Sequence, residues 1–156
     1  MTPNASNTAP NGRGFVTLLE AFRASGGTAT GDVVARLLED HHAGEAASLA
    51  TLVHSSQVFG FEWRGSFWIP MFQFNADDLS PVAAAQAVRA ELPELWSGWT
   101  VAMWFAMPNA RLEAHRPVDL LDSRLDAVLH AAQALPSIDD MSFIHGQRPQ
   151  GRAAHA

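Results

Sequence analysis

The first third of the chain carries apolar residues at helical spacing. The first repeat runs up to Ser25-Gly26-Gly27, and this pattern predicts an amphipathic helix that Gly27 ends. Its apolar positions are Phe15, Leu18, Leu19 and Phe22. Two more helical repeats follow, with apolar positions at Val33, Val34, Leu37, Leu38, Leu49, Leu52 and Val53. Residues 15–55 are therefore predicted to form a small helical N-terminal subdomain, typical of a degenerate helix-turn-helix.

From Gln57 the pattern changes to aromatic and β-branched runs on both sides of a polar turn, Arg64-Gly65. The apolar positions of these runs are Val58, Phe59, Phe61, Trp63, Phe67, Trp68, Ile69, Phe72 and Phe74. Such runs around a glycine turn predict a β-hairpin over residues 57–74. Because Pro70 lacks an amide donor, we expect the second strand to be bulged there or to lie at a sheet edge.

Helical patterns return after the hairpin. Ser80-Pro81 is typical of a helix start, with a capping hydroxyl followed by proline at the first helical position. A second, apolar helix is predicted over residues 99–107. Pro108 disfavours helical geometry in the residue before it and so ends this helix, while Asn109 is expected to hydrogen-bond the local backbone.

The C-terminal third completes a helical bundle over residues 80–135. Pro117 starts a short helix that runs through Leu121, and a last helical face follows up to Leu135. The predicted fold class is mainly α, with a small helical N-terminal subdomain, one β-hairpin and a C-terminal helical bundle. Residues 1–14 are expected to be a disordered lead, and residues 136–156 an irregular tail.

Composition narrows the class of protein. With 156 residues, 47% of them hydrophobic, the chain can bury a core of its own. The formal net charge of -6 weighs against nucleic acid as the main partner, because such binding is dominated by phosphate neutralisation. The chain has no cysteine, no apparent signal peptide and no apolar run of membrane-spanning length. We therefore expect a cytoplasmic protein without a membrane partner.

Candidate catalytic chemistry has a structural explanation at each position. His41 and His42 are neighbours on one predicted helix, so they point about 100° apart and cannot share one face. The acidic pairs Asp77-Asp78 and Asp139-Asp140 fall in predicted loops, where aspartate commonly forms turns. No nucleophile elbow, phosphate loop or zinc motif is present. We expect a non-enzyme with no catalytic residue, no metal and no cofactor.

Two segments carry a family resemblance. Residues 99–121, WTVAMWFAMPNARLEAHRPVDLL, contain the spacing W…PN..L…RP.DLL, and residues 64–74 read RGSFWIPMFQF. Both are similar to segments of the Xre/MbcA/ParS antitoxin family, small bacterial proteins that bind and silence a toxin encoded beside them. The resemblance implies that residues 80–135 form a toxin-binding helical domain. It also implies a cognate protein toxin of the RES type, which consumes NAD, and a homodimeric antitoxin.

The same resemblance assigns partner-binding residues. Those in the second segment are Trp99, Trp104, Pro108, Asn109, Leu112, Arg116, Pro117 and Leu121. Trp99 and Trp104 lie on different sides of one helix, so we expect one in the core and the other at an interface. The apolar residues of the tail, which we expect to act as a plug, are Met141, Phe143 and Ile144.

Two departures from the family pattern bear on function. The usual Leu-x-Gly before the second proline is Leu112-Glu113-Ala114 here, so the turn lacks its glycine. Acidic residues also outnumber arginines between residues 13 and 64. The alternative hypothesis, a DNA-binding transcriptional regulator acting through residues 15–55, therefore has weaker support than toxin binding.

Overall fold

The computed structural model describes residues 9–42 and 48–135. Six α-helices and three β-strands lie within these ranges. In chain order they are α1 (Gly12–Phe22), β1 (Thr28–Thr30), α2 (Gly31–His42), α3 (Leu49–His54), β2 (Phe61–Trp63), β3 (Ser66–Pro70), α4 (Ala83–Glu91), α5 (Gly98–Ala106) and α6 (Leu125–Gln133). Four short 3-10 helices join them, at Arg23–Ser25, Met71–Gln73, Ala110–Leu112 and Pro117–Leu120.

The fold class is mixed α/β, so the prediction of a mainly α protein with one hairpin is wrong. The strands form one antiparallel sheet of order β1-β3-β2, and β1 comes from the segment predicted to be wholly helical. Gly26 and Gly27, with φ of 113° and 81°, turn the chain after α1 and bring Thr28–Thr30 against β3. A strand of three residues is too short to show an alternating pattern in the sequence.

The hairpin of β2 and β3 is confirmed, with Trp63 opposite Ser66 across the turn. Arg64 and Gly65 both have positive φ, 51° and 81°, as a two-residue primed turn requires. The expectation for Pro70 is wrong, because β3 is the central strand of the sheet. Pro70 is tolerated there because it is the last residue of β3, beyond its pairing with β2.

Gln73 replaces the backbone pairing that Pro70 cannot provide. Its side-chain oxygen accepts the Phe59 N–H at 2.8 Å, and its amide nitrogen donates to the carbonyl oxygens of Phe59 at 2.8 Å and Pro70 at 3.0 Å. Gln73 is only 2% exposed, so these bonds are formed away from water. The side-chain amide thus satisfies three buried backbone groups at the end of the sheet.

The sheet separates two hydrophobic clusters. Phe61 and Trp68, paired across β2 and β3, face the larger cluster, which α1, α4, α5 and α6 complete. Ile69 faces the smaller cluster, together with residues of α2 and α3. The helices predicted within residues 15–55 therefore pack on opposite sides of the sheet, with α1 on one side and α2 and α3 on the other.

Several predicted element boundaries differ from the structure, among them those of the hairpin, whose strands span residues 61–70 and not 57–74. The last residues of the predicted lead are helical, since α1 begins at Gly12 and the Asn11 side chain caps it by accepting the Gly14 N–H at 2.8 Å. Ser80 does not begin a helix, because its N–H donates to Asp78 Oδ1 at 2.9 Å within a turn. Pro81 forms a β-bridge with Phe74, and α4 starts two residues later.

Candidate functional site

The predicted partner-binding block forms a helical corner built around the end of α5. Met107 is extended, with φ of -100° and ψ of 148°, as expected for a residue before proline. The Asn109 side chain accepts the Arg111 N–H at 2.9 Å and caps the 3-10 helix Ala110–Leu112. The predictions that Pro108 ends the apolar helix and that Asn109 bonds the local backbone are both confirmed.

The turn at Glu113 and Ala114 has a left-handed backbone although it contains no glycine. Glu113 and Ala114 have φ of 58° and 69°, a region that non-glycine residues seldom occupy. Hydrogen bonds hold them there: the Asn109 N–H donates to His115 O at 3.0 Å, and the Ala114 N–H donates to Asn109 O at 2.9 Å. The corner therefore closes without glycine, at a cost in backbone strain.

Half of the predicted partner-binding residues in this block are buried. Trp99 is 4% exposed, Leu112 1% and Leu121 6%, and Pro117 is fully buried. Trp99 packs edge-on against Phe61, with ring centroids 5.5 Å apart. Leu112, Pro117 and Leu121 therefore pack inside the corner, whereas Trp99 packs at the start of α5.

The other half reaches the surface to different degrees. Pro108 is exposed, whereas Asn109 and Arg116 are partly exposed. Arg116 forms only a long ion pair with Asp119, at 4.0 Å, which leaves its guanidinium open to other partners. Met107, which sequence reasoning did not single out, is 42% exposed. The sequence signal for its exposure was its place directly before Pro108. A residue before proline is extended, so its side chain does not continue the buried face of the helix.

Trp104 is intermediate in burial between the buried and the exposed residues of the block. It is partly buried, and its ring meets Phe105 edge-on at 5.3 Å. Its indole nitrogen is buried and has no hydrogen-bond partner among the described residues. As expected, Trp99 lies in the core, while Trp104 sits at the edge of the larger cluster. The tail residues Met141, Phe143 and Ile144 lie outside the described residues.

The other candidate groups have local structural roles. His41 Nδ1 lies 3.1 Å from Leu37 O within α2, and Asp78 binds Ser80 in a turn. Within residues 9–42 and 48–135 no cluster of His, Asp or Glu could hold a metal ion. Burial lowers the pKa of the Arg89 guanidinium, and the nearby Glu94 carboxylate partly opposes this shift. Asp139-Asp140 lies outside the described residues.

The corner thus combines an exposed thioether and proline with the cationic Arg111 and Arg116, a composition suited to contact with another protein.

No known protein family, no curated protein and no solved structure matches the chain. In the described part of the chain, no helix has both the length and the apolar character needed to cross a membrane.

Proposed function

We propose that this protein is an antitoxin-like protein that binds and neutralises a cognate toxin of the RES type, which consumes NAD. The proposal takes the protein to be non-enzymatic, cytoplasmic and homodimeric, as the family resemblance implies. Its binding surface is the corner after α5, with Met107 and Pro108 at the centre and Arg111 and Arg116 beside them. The tail after residue 135, with its apolar plug, completes the contact.

One observation carries the proposal. Four residues of the motif spacing within residues 99–121 are buried, and three of them belong to the larger cluster; the four are Trp99, Leu112, Leu121 and, outside the cluster, Pro117. Their burial fixes the backbone between them, and this backbone holds Met107 at the surface. The motif therefore has a physical consequence beyond its own packing: it holds a small apolar and cationic surface in one orientation, as protein recognition requires.

Coexpression with the product of the neighbouring gene tests this function. We expect the two proteins to copurify, and we expect the NAD content of cells to fall when the neighbour is expressed alone and to recover when this chain is added. A neighbour that neither binds the chain nor consumes NAD contradicts the proposal.

A charge placed in the corner locates the binding surface. Met107→Glu should weaken the complex about tenfold or more, because it replaces the apolar thioether at the centre of the contact with a charge that must be desolvated. Leu95→Glu is the matched control, since Leu95 is 84% exposed on the loop before α5 and outside the corner. Isothermal titration calorimetry gives both affinities, and equal losses in the two variants would argue against the corner.

The DNA-binding alternative stays a prediction. In the described part of this segment, α1 packs its apolar face against the larger cluster. A titration of the chain with its own promoter fragment at low salt tests this alternative directly, since phosphate contacts are strongest there.

A further inference from the structure

A cleft of about 620 Å³ lies between the outer strand β2, the start of α5 and the chain just before α1. Its walls include Pro10, Phe61, Glu62, Phe67, Ser97 and Trp99. The volume is in the range of natural binding clefts. It lies at the opposite end of α5 from the corner, so it is a separate surface.

The outer edge of β2 offers unpaired backbone to this cleft. Trp63 and Ser66 flank the two-residue turn and form a hydrogen-bonded pair, so the next pair, Glu62 and Phe67, is of the wide type. In a wide pair both residues direct their N–H and C=O groups away from each other. The N–H and C=O of Glu62 therefore point away from β3, in the plane of the sheet. On that side the described residues provide no further strand.

Trp99, whose side chain helps to line the same cleft, carries an unpaired buried donor. Trp99 is 4% exposed, and its indole N–H has no acceptor among the described residues. Its ring is held in place: it stacks on Trp63 at 6.1 Å, and it lies so close to Gly14 that a Cβ there would be 2.8 Å from Trp99 Cζ2. Buried indole N–H groups normally have a partner. Trp68 and Trp104 also lack one, but neither lines the cleft.

We propose that an extended segment of a protein partner binds in this cleft as an added strand. Its backbone pairs with the N–H and C=O of Glu62, and one of its carbonyl oxygens accepts the Trp99 indole N–H. A basic side chain of the segment pairs with the exposed Glu62 carboxylate, which has no ion pair within the described residues. Strand addition of this kind draws affinity from main-chain bonds and specificity from side-chain pockets.

The identity of the partner as the toxin rests on the proposed function, whereas the strand site does not. The test uses the full chain labelled with 15N, and the probe is a set of overlapping synthetic peptides that cover the neighbouring gene product. We expect one peptide with a basic residue to slow hydrogen exchange of the Glu62 amide and to shift the Trp99 indole resonance.

Charge variants test the contact at Glu62. Glu62→Arg should weaken that peptide about tenfold or more, whereas Glu20→Arg, on the exposed side of α1, should leave its affinity unchanged. Both side chains are exposed, so neither variant disturbs the core. Equal effects in the two variants would overturn the ion pair and with it the stated class of segment.

The outcomes separate the two proposals. A stable complex with the neighbour in which Glu62 exchange does not change overturns strand addition and leaves the antitoxin function standing. Peptide binding at Glu62 without toxin neutralisation supports the strand site and rejects the function. If the Glu62 amide is already protected in the free chain and loses that protection when residues 1–8 are deleted, the chain itself occupies the edge, and the proposal fails.

Discussion

The hairpin segment and the corner segment use their residues differently. In the hairpin segment, residues 64–74, the motif ends in side chains that complete the fold, with Phe72 packed in the core and Gln73 bonded to three backbone groups. In the corner segment, residues 99–121, buried motif residues alternate with exposed ones, and the turn carries backbone strain. The segments meet where Phe72 and Phe105 pack at 4.9 Å.

Residues of a sequence motif can therefore complete the fold, as in the hairpin segment, or lie at the surface, as some do in the corner segment. The hairpin segment shows such structural roles. Pro70 lacks the N–H that would pair with the neighbouring strand, and the Gln73 side chain forms hydrogen bonds in its place. In the corner, the buried half packs in the core and Pro108 and Asn109 shape the backbone, but the remaining exposed side chains do not complete the core. Both segments place their positive-φ residues at exposed turns, Arg64 in the hairpin and Glu113 and Ala114 in the corner.

The largest expected effect is on the hairpin side. Gln73→Leu keeps the volume close to that of glutamine but leaves the Phe59 N–H and two carbonyl oxygens buried without partners, so we expect a loss of about 3–5 kcal/mol in the free energy of unfolding. Urea denaturation measures it. Gln133→Leu, on the exposed face of α6, is the control and should change stability by less than about 0.5 kcal/mol. A small loss at Gln73 would show that water replaces the amide.

The next effect is at the contact between Gly60 and Gly98, which lie just before the two segments. Gly98 begins α5 with its Cα against the Gly60 carbonyl, so a Cβ at Gly98 would collide with backbone. Gly98→Ala should therefore destabilise the protein by about 2–3 kcal/mol, seen as a lower melting temperature.

Gly12→Ala is the matched control for that contact. Gly12 also begins a helix, α1, and a Cβ there meets nothing within 4 Å. The substitution should be neutral or stabilise by up to about 1 kcal/mol, because alanine favours helix. If the two alanine variants melt alike, the close approach of Gly60 and Gly98 is not part of the folded state in solution.

The smallest effect should come from the corner. Ala114→Gly removes the strain of a side chain at φ of 69°, and we expect a gain of about 1 kcal/mol in the free energy of unfolding. Ala87→Gly, at an exposed position within α4, should lose a similar amount. Thermal unfolding of the two variants tests whether the same alanine-to-glycine change raises stability at one position and lowers it at the other. A loss in both variants would mean that the hydrogen bonds of the turn, and not its backbone angles, limit stability.

The sequence predicted much of both segments because their signals are local. A glycine turn between aromatic runs predicts a hairpin, and a proline after an apolar helix predicts its end; both are found. The same local reasoning failed at Ser80-Pro81, where a capping pattern is used in a turn and a β-bridge instead. It also missed Gln73, because its buried bonds are made to residues distant along the chain, and it missed Met107, although the following proline was a local signal.

By itself, the sequence determined the hairpin, the apolar helix with its Pro-Asn end, and the joint spacing of the corner. Local stereochemistry is enough for these, since each depends on a few adjacent residues. Only the tertiary structure decided that Thr28–Thr30 forms a third strand, that Pro70 ends the central one, and that Trp99 is buried while Met107 is exposed. Pairing and burial are set by contacts between distant segments, and short runs of sequence do not encode which segment provides them.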